Sequence, residues 1–267
     1  MIKRNRVKFA LNNLKNSLRG GKDDKPGLYP LKIELPTYRG KLQFEAFSPV
    51  EKYRLANYGG EKFFVEEFTK LIEIDDIVLD IGASVGLMAV HAAIFAENGQ
   101  IFAFEPDPET MERLQNNVEL NNLSNVTFVP WAVSDREGEA TLFTDGASGF
   151  ASTLKEQLNR PGAPKGKVTV QTKTLDNEIS IGNLPLPTVL KIDIEGAEVL
   201  CLHGAESLLN GSLGKKPRLI FLELHPEFLP SFGASADEVH NFVLRHGYSV
   251  AWEQKRDAQI HYCYTIN

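Results

Sequence analysis

The segment Ile77-Val78-Leu79-Asp80-Ile81-Gly82-Ala83-Ser84-Val85-Gly86 constrains the fold more than any other stretch of the chain. An apolar run ends on an acid, a glycine turn follows, and Leu87 to Ala96 then reads as a helix. A buried parallel strand running into a helix N-terminus is the place where open α/β sheets bind nucleotide-like ligands. About twenty residues on, Ile101-Phe102-Ala103-Phe104-Glu105 is a second apolar run ending on an acid. A carboxylate at that strand tip can accept hydrogen bonds from both hydroxyls of a ribose. Together the two acids point to an adenosine-containing ligand.

Spacing separates the candidate ligands. A dinucleotide fingerprint needs G-x-G-x-x-G, whose middle glycine lets the backbone approach a pyrophosphate. With Gly82 as the first glycine, Ser84 and Leu87 occupy the other two positions; with Gly86 as the last, Ile81 and Ala83 do. No Walker lysine is present, and Asp80 would set a negative charge close to a pyrophosphate. The same acid suits an ammonium group, so the expected ligand is S-adenosylmethionine, with its carboxylate near backbone N–H groups at the start of the Gly86 helix. A strand–glycine–helix turn also serves simply to pack a helix on a sheet; Glu105 tips the balance toward a ligand.

The chain has 267 residues, 42% of them hydrophobic, enough for one large domain or a domain plus an extension. A formal net charge of -6 argues against a broad nucleic-acid footprint. Two cysteines, Cys201 and Cys263, supply neither a disulfide framework nor a metal-ligand spacing. No apolar run is long enough to span a membrane, and the N-terminus lacks a signal-peptide core, so a cytoplasmic protein is expected. Met1 to Lys25 is rich in Lys and Arg with Phe9, Leu11, Leu14 and Leu18 at roughly helical spacing. It reads either as a basic amphipathic helix touching an anionic membrane surface or a partner, or as a solvated extension packed on the catalytic body; the second is favoured.

Residues 1–60 are expected to form an N-terminal extension, the basic helix plus a small β element over Tyr29 to Gln43, and residues 61–267 the main domain. Phe63 to Ile72 is predicted helical. Strands are predicted at Ile77–Ile81, Gln100–Phe104, Val126–Pro130, Thr188–Ile192, Arg218–Glu223, Tyr248–Trp252 and Ile260–Ile266. Helices are predicted at Leu87–Ala96, Pro108–Asn121, Ala197–Asn210 and Ala236–His246, with Asp107-Pro108 and Ser235/Glu238 as start signals. Alternation of the two implies a doubly wound, mostly parallel α/β sheet. The last two strands have only a polar turn between them and must form a hairpin, giving one antiparallel edge strand. Strands at Glu139–Phe143 and Val168–Lys173 flank a long Gly/Ser/Pro-rich loop, which reads either as a substrate-facing lid near the ligand end of the sheet or as plain disorder.

Two more strands end in acids at the same sheet edge. Lys191-Ile192-Asp193-Ile194-Glu195-Gly196-Ala197-Glu198 closes the fourth and Leu222-Glu223-Leu224-His225-Pro226 the fifth. Asp193, Glu195, Glu198, Glu223 and His225 should therefore share a cleft, where clustered carboxylates and a histidine suit proton transfer. Asp193 also reads as a helix cap, and Glu195 and Glu198 as acids favoured by the helix dipole. Asp193, Glu195 and His225 have the donor types for Mg or Mn, but no spacing demands a metal and none is expected.

Read together, these motifs resemble the FkbM family of S-adenosylmethionine-dependent methyltransferases. The matching pieces are Asp80 to Gly86, Phe104-Glu105-Pro106-Asp107-Pro108, Ala132-Val133-Ser134-Asp135, Thr174-Leu175-Asp176 and Lys191 to Glu198. The resemblance runs from about Phe63 to the C-terminus; Ser84 stands where family members often carry asparagine. It implies the class I methyltransferase fold, a Rossmann-like sheet of seven strands with the last antiparallel. It also implies O-methylation of a sugar or other small hydroxylated metabolite. Cofactor contacts are expected from Asp80, Gly82, Ala83, Ser84, Gly86, Glu105, Pro106 and Asp193, with Ala132, Val133 and Ser134 along the adenine. Tyr53, Arg54, Tyr58 and Glu61 are weaker candidates for the methionine or acceptor end. Asp193 and His225 are the candidate catalytic bases. Methylation of nitrogen is disfavoured because Asp193-Ile194-Glu195-Gly196 stands where such enzymes carry an Asn/Asp-Pro-Pro-Tyr/Phe motif. A non-catalytic binding module acting through the N-terminal helix remains the alternative outside catalysis.

Overall fold

The structure, a computed structural model, describes residues 28–56, 58–145, 150–157 and 164–266. The basic segment Met1 to Lys25 lies outside them, as do residues 146–149 and 158–163 of the long loop. The described chain opens on a hairpin of β1 (Leu31–Thr37) and β2 (Gly40–Ala46), then α1 (Pro49–Ala56) and α2 (Lys62–Leu71). There follow β3 (Ile77–Ile81), α3 (Leu87–Phe95), β4 (Gln100–Phe104), α4 (Pro108–Leu120), β5 (Val126–Val129) and β6 (Ala132–Val133). The second half runs β7 (Gly138–Thr144), β8 (Gly166–Lys173), α5 (Leu175–Ser180), β9 (Val189–Ile192), α6 (Glu198–His203), α7 (Glu206–Asn210) and β10 (Leu219–Leu224). It closes with α8 (Ala236–Arg245), β11 (Tyr248–Arg256) and β12 (Gln259–Ile266).

The main sheet has seven strands in the order β11-β12-β10-β9-β3-β4-β5. From β3 the chain moves outward through β4 and β5 on one side, then returns to build β9 and β10 on the other. The crevice beyond the ends of β3 and β9 is thus the topological switch point, where such sheets bind ligands. Alternation along each strand feeds two cores. Val78, Ile101, Ala103 and Phe221 pack under α2, α3 and α4. Leu79, Phe102, Leu190, Ile220 and Leu222 pack under α6, α7 and α8.

Two expectations are corrected. β12 is antiparallel to both β10 and β11, so the antiparallel strand lies inside the sheet and β11 forms its edge. The reason is burial: His261, Tyr262, Cys263 and Tyr264 are all buried, whereas β11 carries exposed Val250, Glu253 and Lys255 along an edge that solvent can reach. The predicted helix Ala197–Asn210 is two helices, because a Cβ at Gly204 would stand 2.0 Å from the Ser134 carbonyl oxygen, pressing the chain onto that loop. Leu42, Phe44 and Leu55 share one core with Phe68, Val78 and Ala89, so the hairpin and α1 pack on the main body. Both start signals are present: Asp107 accepts from the Glu109 N–H, and Ser235 with Glu238 forms a capping box.

Candidate active site

The turn after β3 is held by its own backbone. The Gly82 and Ala83 N–H groups donate to the Phe104 carbonyl at 3.1 and 2.9 Å, and Gly86 donates to Ala83. Gly82 adopts φ 82, and a Cβ there would stand 2.0 Å from the Asp193 carbonyl oxygen. Only glycine lets β3 and β9 approach this closely. The Ser84 N–H, on a residue at φ 51, donates to Glu105 Oε2 at 3.1 Å. Glu105 Oε1 accepts from Asp107 N–H at 2.9 Å, so this carboxylate is fixed across the turn. Burial pushes its pKa up to about 7, against these two backbone donors that favour the charged form.

A cleft of about 840 Å³, counted out to open solvent, runs along this edge. Its floor is Gly82, Ser84, Glu105, Pro106 and Asp193. Phe104, Trp131, Ala132, Val133 and Leu142 form an apolar end, where Trp131 meets Phe104 edge-on at 5.0 Å. Part of the long loop covers that end. Thr153 bridges to Phe143, Ser152 Oγ donates to Asp107 Oδ2 at 2.8 Å, and Phe150, Ala151, Ser152 and Leu154 line the wall. Glu51, ion-paired with Arg113, and Arg54 line the opposite wall.

Several expected cofactor residues lie elsewhere. Asp80 is fully buried and does not reach the cleft; it sits 3.0 Å from Lys191 Nζ. It shares a strand face with Val78, turned toward α3, so the expected contact with a ligand ammonium is not available to it. The Ala83 and Gly86 amides serve the turn rather than a ligand. Ser134 is buried, its N–H donating to the Lys173 carbonyl and its hydroxyl 3.3 Å from Asp135.

Lys191 was missed by sequence reasoning, yet it joins the turn to the acids. Its ammonium donates to the Gly82 carbonyl at 2.9 Å and stands 3.0 Å from Asp80 and 3.7 Å from Asp193. Burial pulls its pKa down, but Asp80 and Asp193 outweigh this and keep it charged. A lysine inside a four-residue strand with every position buried was the available signal, since a charge there needs a partner.

The expected acid–histidine group does assemble. His225 is buried and its Nδ1 lies 2.6 Å from Glu198 Oε1. Its Nε2 faces Glu223 at 3.5 Å, Glu195 at 3.6 Å and Asp193 at 3.8 Å. Burial alone would lower the His225 pKa; Glu195, Glu198 and Glu223 outweigh it and raise the pKa well above the ordinary histidine value. Glu223 would be raised by burial, but His261 and His225 bring it down to about 2. His261 Nε2 stands 3.1 Å from Glu223 Oε2, a juxtaposition made by the β10–β12 register. Beyond it, Glu61 pairs with Arg256, and burial beside Glu223 lifts Glu61 to about 7. Asp193 alone of the Asp193–Glu223–His225 group lines the cleft, so the cluster opens to it through this one carboxylate.

A Rossmann-like sheet with its cleft at the switch point, a buried acid at the second strand tip and an acid–histidine group beside it define a class I methyltransferase. The methyltransferase FkbM domain matches residues 80–250, and the chain belongs to that family. Hexuronic acid methyltransferase AglP of Haloferax volcanii is 27% identical over 198 residues, covering 73% of this chain and 74% of its own. The 2-O-methyltransferase NoeI of Sinorhizobium fredii is 26% identical over 160 residues, covering 56% of this chain and 63% of its own. Among solved structures, the Methanococcus jannaschii fibrillarin pre-rRNA processing protein aligns with a TM-score of 0.47 at 12% identity, covering 90% of this chain and 84% of that one.

The cofactor of the family is S-adenosylmethionine, and the residues fit it. The cleft has a buried carboxylate, Glu105, at the tip of the second strand, a glycine turn that no Cβ could enter and an apolar aromatic end. Among the described residues, no helix is long and apolar enough to cross a membrane.

Proposed function

We propose that this enzyme methylates an oxygen of a small hydroxylated acceptor, a sugar or sugar acid. When bound, S-adenosylmethionine supplies an electrophilic methyl group on a sulfonium. Glu105 holds the ribose hydroxyls, and Trp131, Val133 and Leu142 enclose the adenine, with Gly82 and Ser84 shaping the floor. This puts the reactive end of the cleft toward Asp193. In-line methyl transfer depends chiefly on alignment of the acceptor, to which proton removal adds a further factor. The observation that carries the reading is the acid–histidine cluster opening to the cleft through Asp193, whose carboxylate is partly exposed. Asp193 and His225 act together there on the acceptor hydroxyl, with Glu198 fixing the ring through Nδ1. The names of the relatives, a hexuronic acid methyltransferase and a 2-O-methyltransferase, support a sugar-like acceptor. The small number of cations on the described cleft wall supports a small molecule over nucleic acid.

A methyl-transfer screen with labelled donor across neutral sugars, uronic acids, amines and oligonucleotides tests this. Label is expected on oxygen of a sugar or uronic acid, and Asp193→Asn should lower turnover about 10²–10⁴-fold. Label on nitrogen, or full turnover in Asp193→Asn, would overturn the assignment.

A further inference from the structure

We propose that Asp193, Glu223 and His225 form a binding site for one divalent cation of the Mg²⁺ or Mn²⁺ type, placed to take two oxygens of the methyl acceptor. The inference rests on the acceptor site assigned above and names what that site recognises. Three observations lead to it. First, one donor atom from each residue lies within 4.8 Å of the other two, with His225 Nε2 at 3.5 Å from Glu223 and 3.8 Å from Asp193. Donors around a cation ~2.1–2.4 Å away stand ~3.0–3.4 Å apart at right angles and ~4.2–4.8 Å apart when opposed, so shifts of a few tenths of an ångström bring His225 to right angles with both carboxylates, and the widest pair stays within the opposed spacing.

Second, His225 Nε2 is buried, aimed into the group and makes no hydrogen bond. At these separations none of the three facing carboxylates satisfies it. A buried ring nitrogen turned toward several carboxylates without bonding any of them is the arrangement a cation resolves. Third, the other ring nitrogen is already committed. Nδ1 meets the buried Glu198 at 2.6 Å, and Glu198 also accepts the Gly196 N–H at 3.0 Å. Carboxylate to Nδ1 with Nε2 left for the ion is the usual support of a metal-bound histidine, and it fixes the tautomer. His261 Nε2 stands 3.1 Å from Glu223, the second of the three.

One imidazole and two carboxylates are a hard, oxygen-rich set that suits Mg²⁺ or Mn²⁺, ions that keep coordination positions for outside oxygens. Those positions lie on the Asp193 side, where the site meets the cleft. An acceptor with two neighbouring oxygens, a vicinal diol or a hydroxyl beside a carboxylate, would chelate the ion and have its hydroxyl acidified. Acceptor choice then reads an oxygen pair, which an isolated alcohol lacks.

Mn²⁺ alone, titrated into the EDTA-treated full chain and followed by electron paramagnetic resonance, tests the site. We expect one ion per chain, with spin-echo modulation from a directly bonded imidazole nitrogen. Glu223→Gln should weaken binding at least tenfold, and His225→Gln should abolish the nitrogen signal. Glu105→Ala should retain the ion. No bound Mn²⁺ at millimolar concentration, or bound Mn²⁺ without nitrogen modulation in the wild type, overturns the proposal even where a variant does not fold. Calorimetry with S-adenosylhomocysteine on the same protein separates the two readings. Failure of Mn²⁺ with the product still bound removes the cation alone, while failure of the product removes the donor site and leaves the cation standing.

Discussion

Glu105→Gln tests the donor site most directly, because the structure fixes what that carboxylate does before any ligand arrives. Its two oxygens each accept one backbone N–H, from Ser84 at 3.1 Å and Asp107 at 2.9 Å. The remaining lone pairs are what a ribose diol would use. Glutamine keeps the shape but must point an NH2 at one of those donors, and it loses the charge. Hydrogen bonds to a charged group contribute about 1.5–3 kcal/mol each, so loss of about 2 kcal/mol or more, roughly thirtyfold in Kd, is expected for S-adenosylhomocysteine. A second signature follows from the pKa near 7 that burial gives Glu105. If the ionised form binds, affinity should fall about tenfold from pH 8 to pH 6 in the wild type, following the ionised fraction. Glu105→Gln should be flat over that range. Stability runs the other way. The native pKa of about 7 lies above the unfolded value of about 4.3, so this group's contribution is fully present below the unfolded value and is lost as pH rises through the native one. Calorimetry from pH 6 to 8.5, with thermal melts of the free protein beside it, reads both. An unchanged Kd in a folded Glu105→Gln would refute the ribose assignment, and equal pH slopes in the two proteins would refute the titration.

Two further substitutions probe the frame under the site. Lys191→Met strands Asp80, fully buried, without its cation, and should cost about 3–5 kcal/mol in urea unfolding; adding Asp80→Leu should recover most of that, and a single mutant as stable as wild type would show the pair to be dispensable. Gly82→Ala forces a Cβ to within 2.0 Å of the Asp193 carbonyl at φ 82, so product affinity should fall at least about tenfold with a lowered melting temperature; normal binding would mean that β3 and β9 can part freely at the turn.

Most of the sheet was legible because its strands announce themselves. Ile77–Ile81 and Gln100–Phe104 have the bounds that their apolar runs predict, since a parallel strand buried on both faces is a nearly continuous apolar run, interrupted here by Asp80 alone among the buried positions. Elements whose form depends on distant partners were not. α1 (Pro49–Ala56) is short and carries charges in its middle, and its anchor Leu55 is buried only by residues from other elements. The split between α6 and α7 turns on Gly204 meeting the Ser134 carbonyl about seventy residues away, which no local pattern encodes. The inner place of β12 follows from comparing the burial of two strands whose sequences both read simply as hairpin arms.

Legibility in the site divides along the same line. Residues at strand tips were found because position alone aims them at the crevice: Glu105 and Asp193 line the cleft as expected. Asp80 was misplaced for a reason of parity. Side chains alternate along a strand, and Asp80, two residues after Val78, shares its face and its burial under α3. An acid one residue short of the strand end reaches the cleft only through what it holds. Asp80 holds Lys191, and Lys191 holds both the Gly82 carbonyl and the neighbourhood of Asp193. The charge therefore does act on the site, as the buried anchor of the cation that couples the Gly82 turn to Asp193. Neither His261 opposite Glu223 nor Arg256 beside Glu61 could be read from spacing, since each contact spans many residues and exists only once β12 has taken its register. The acid–histidine group is thus assembled by sheet register, whereas the Gly82–Glu105 end of the cleft is written into one turn.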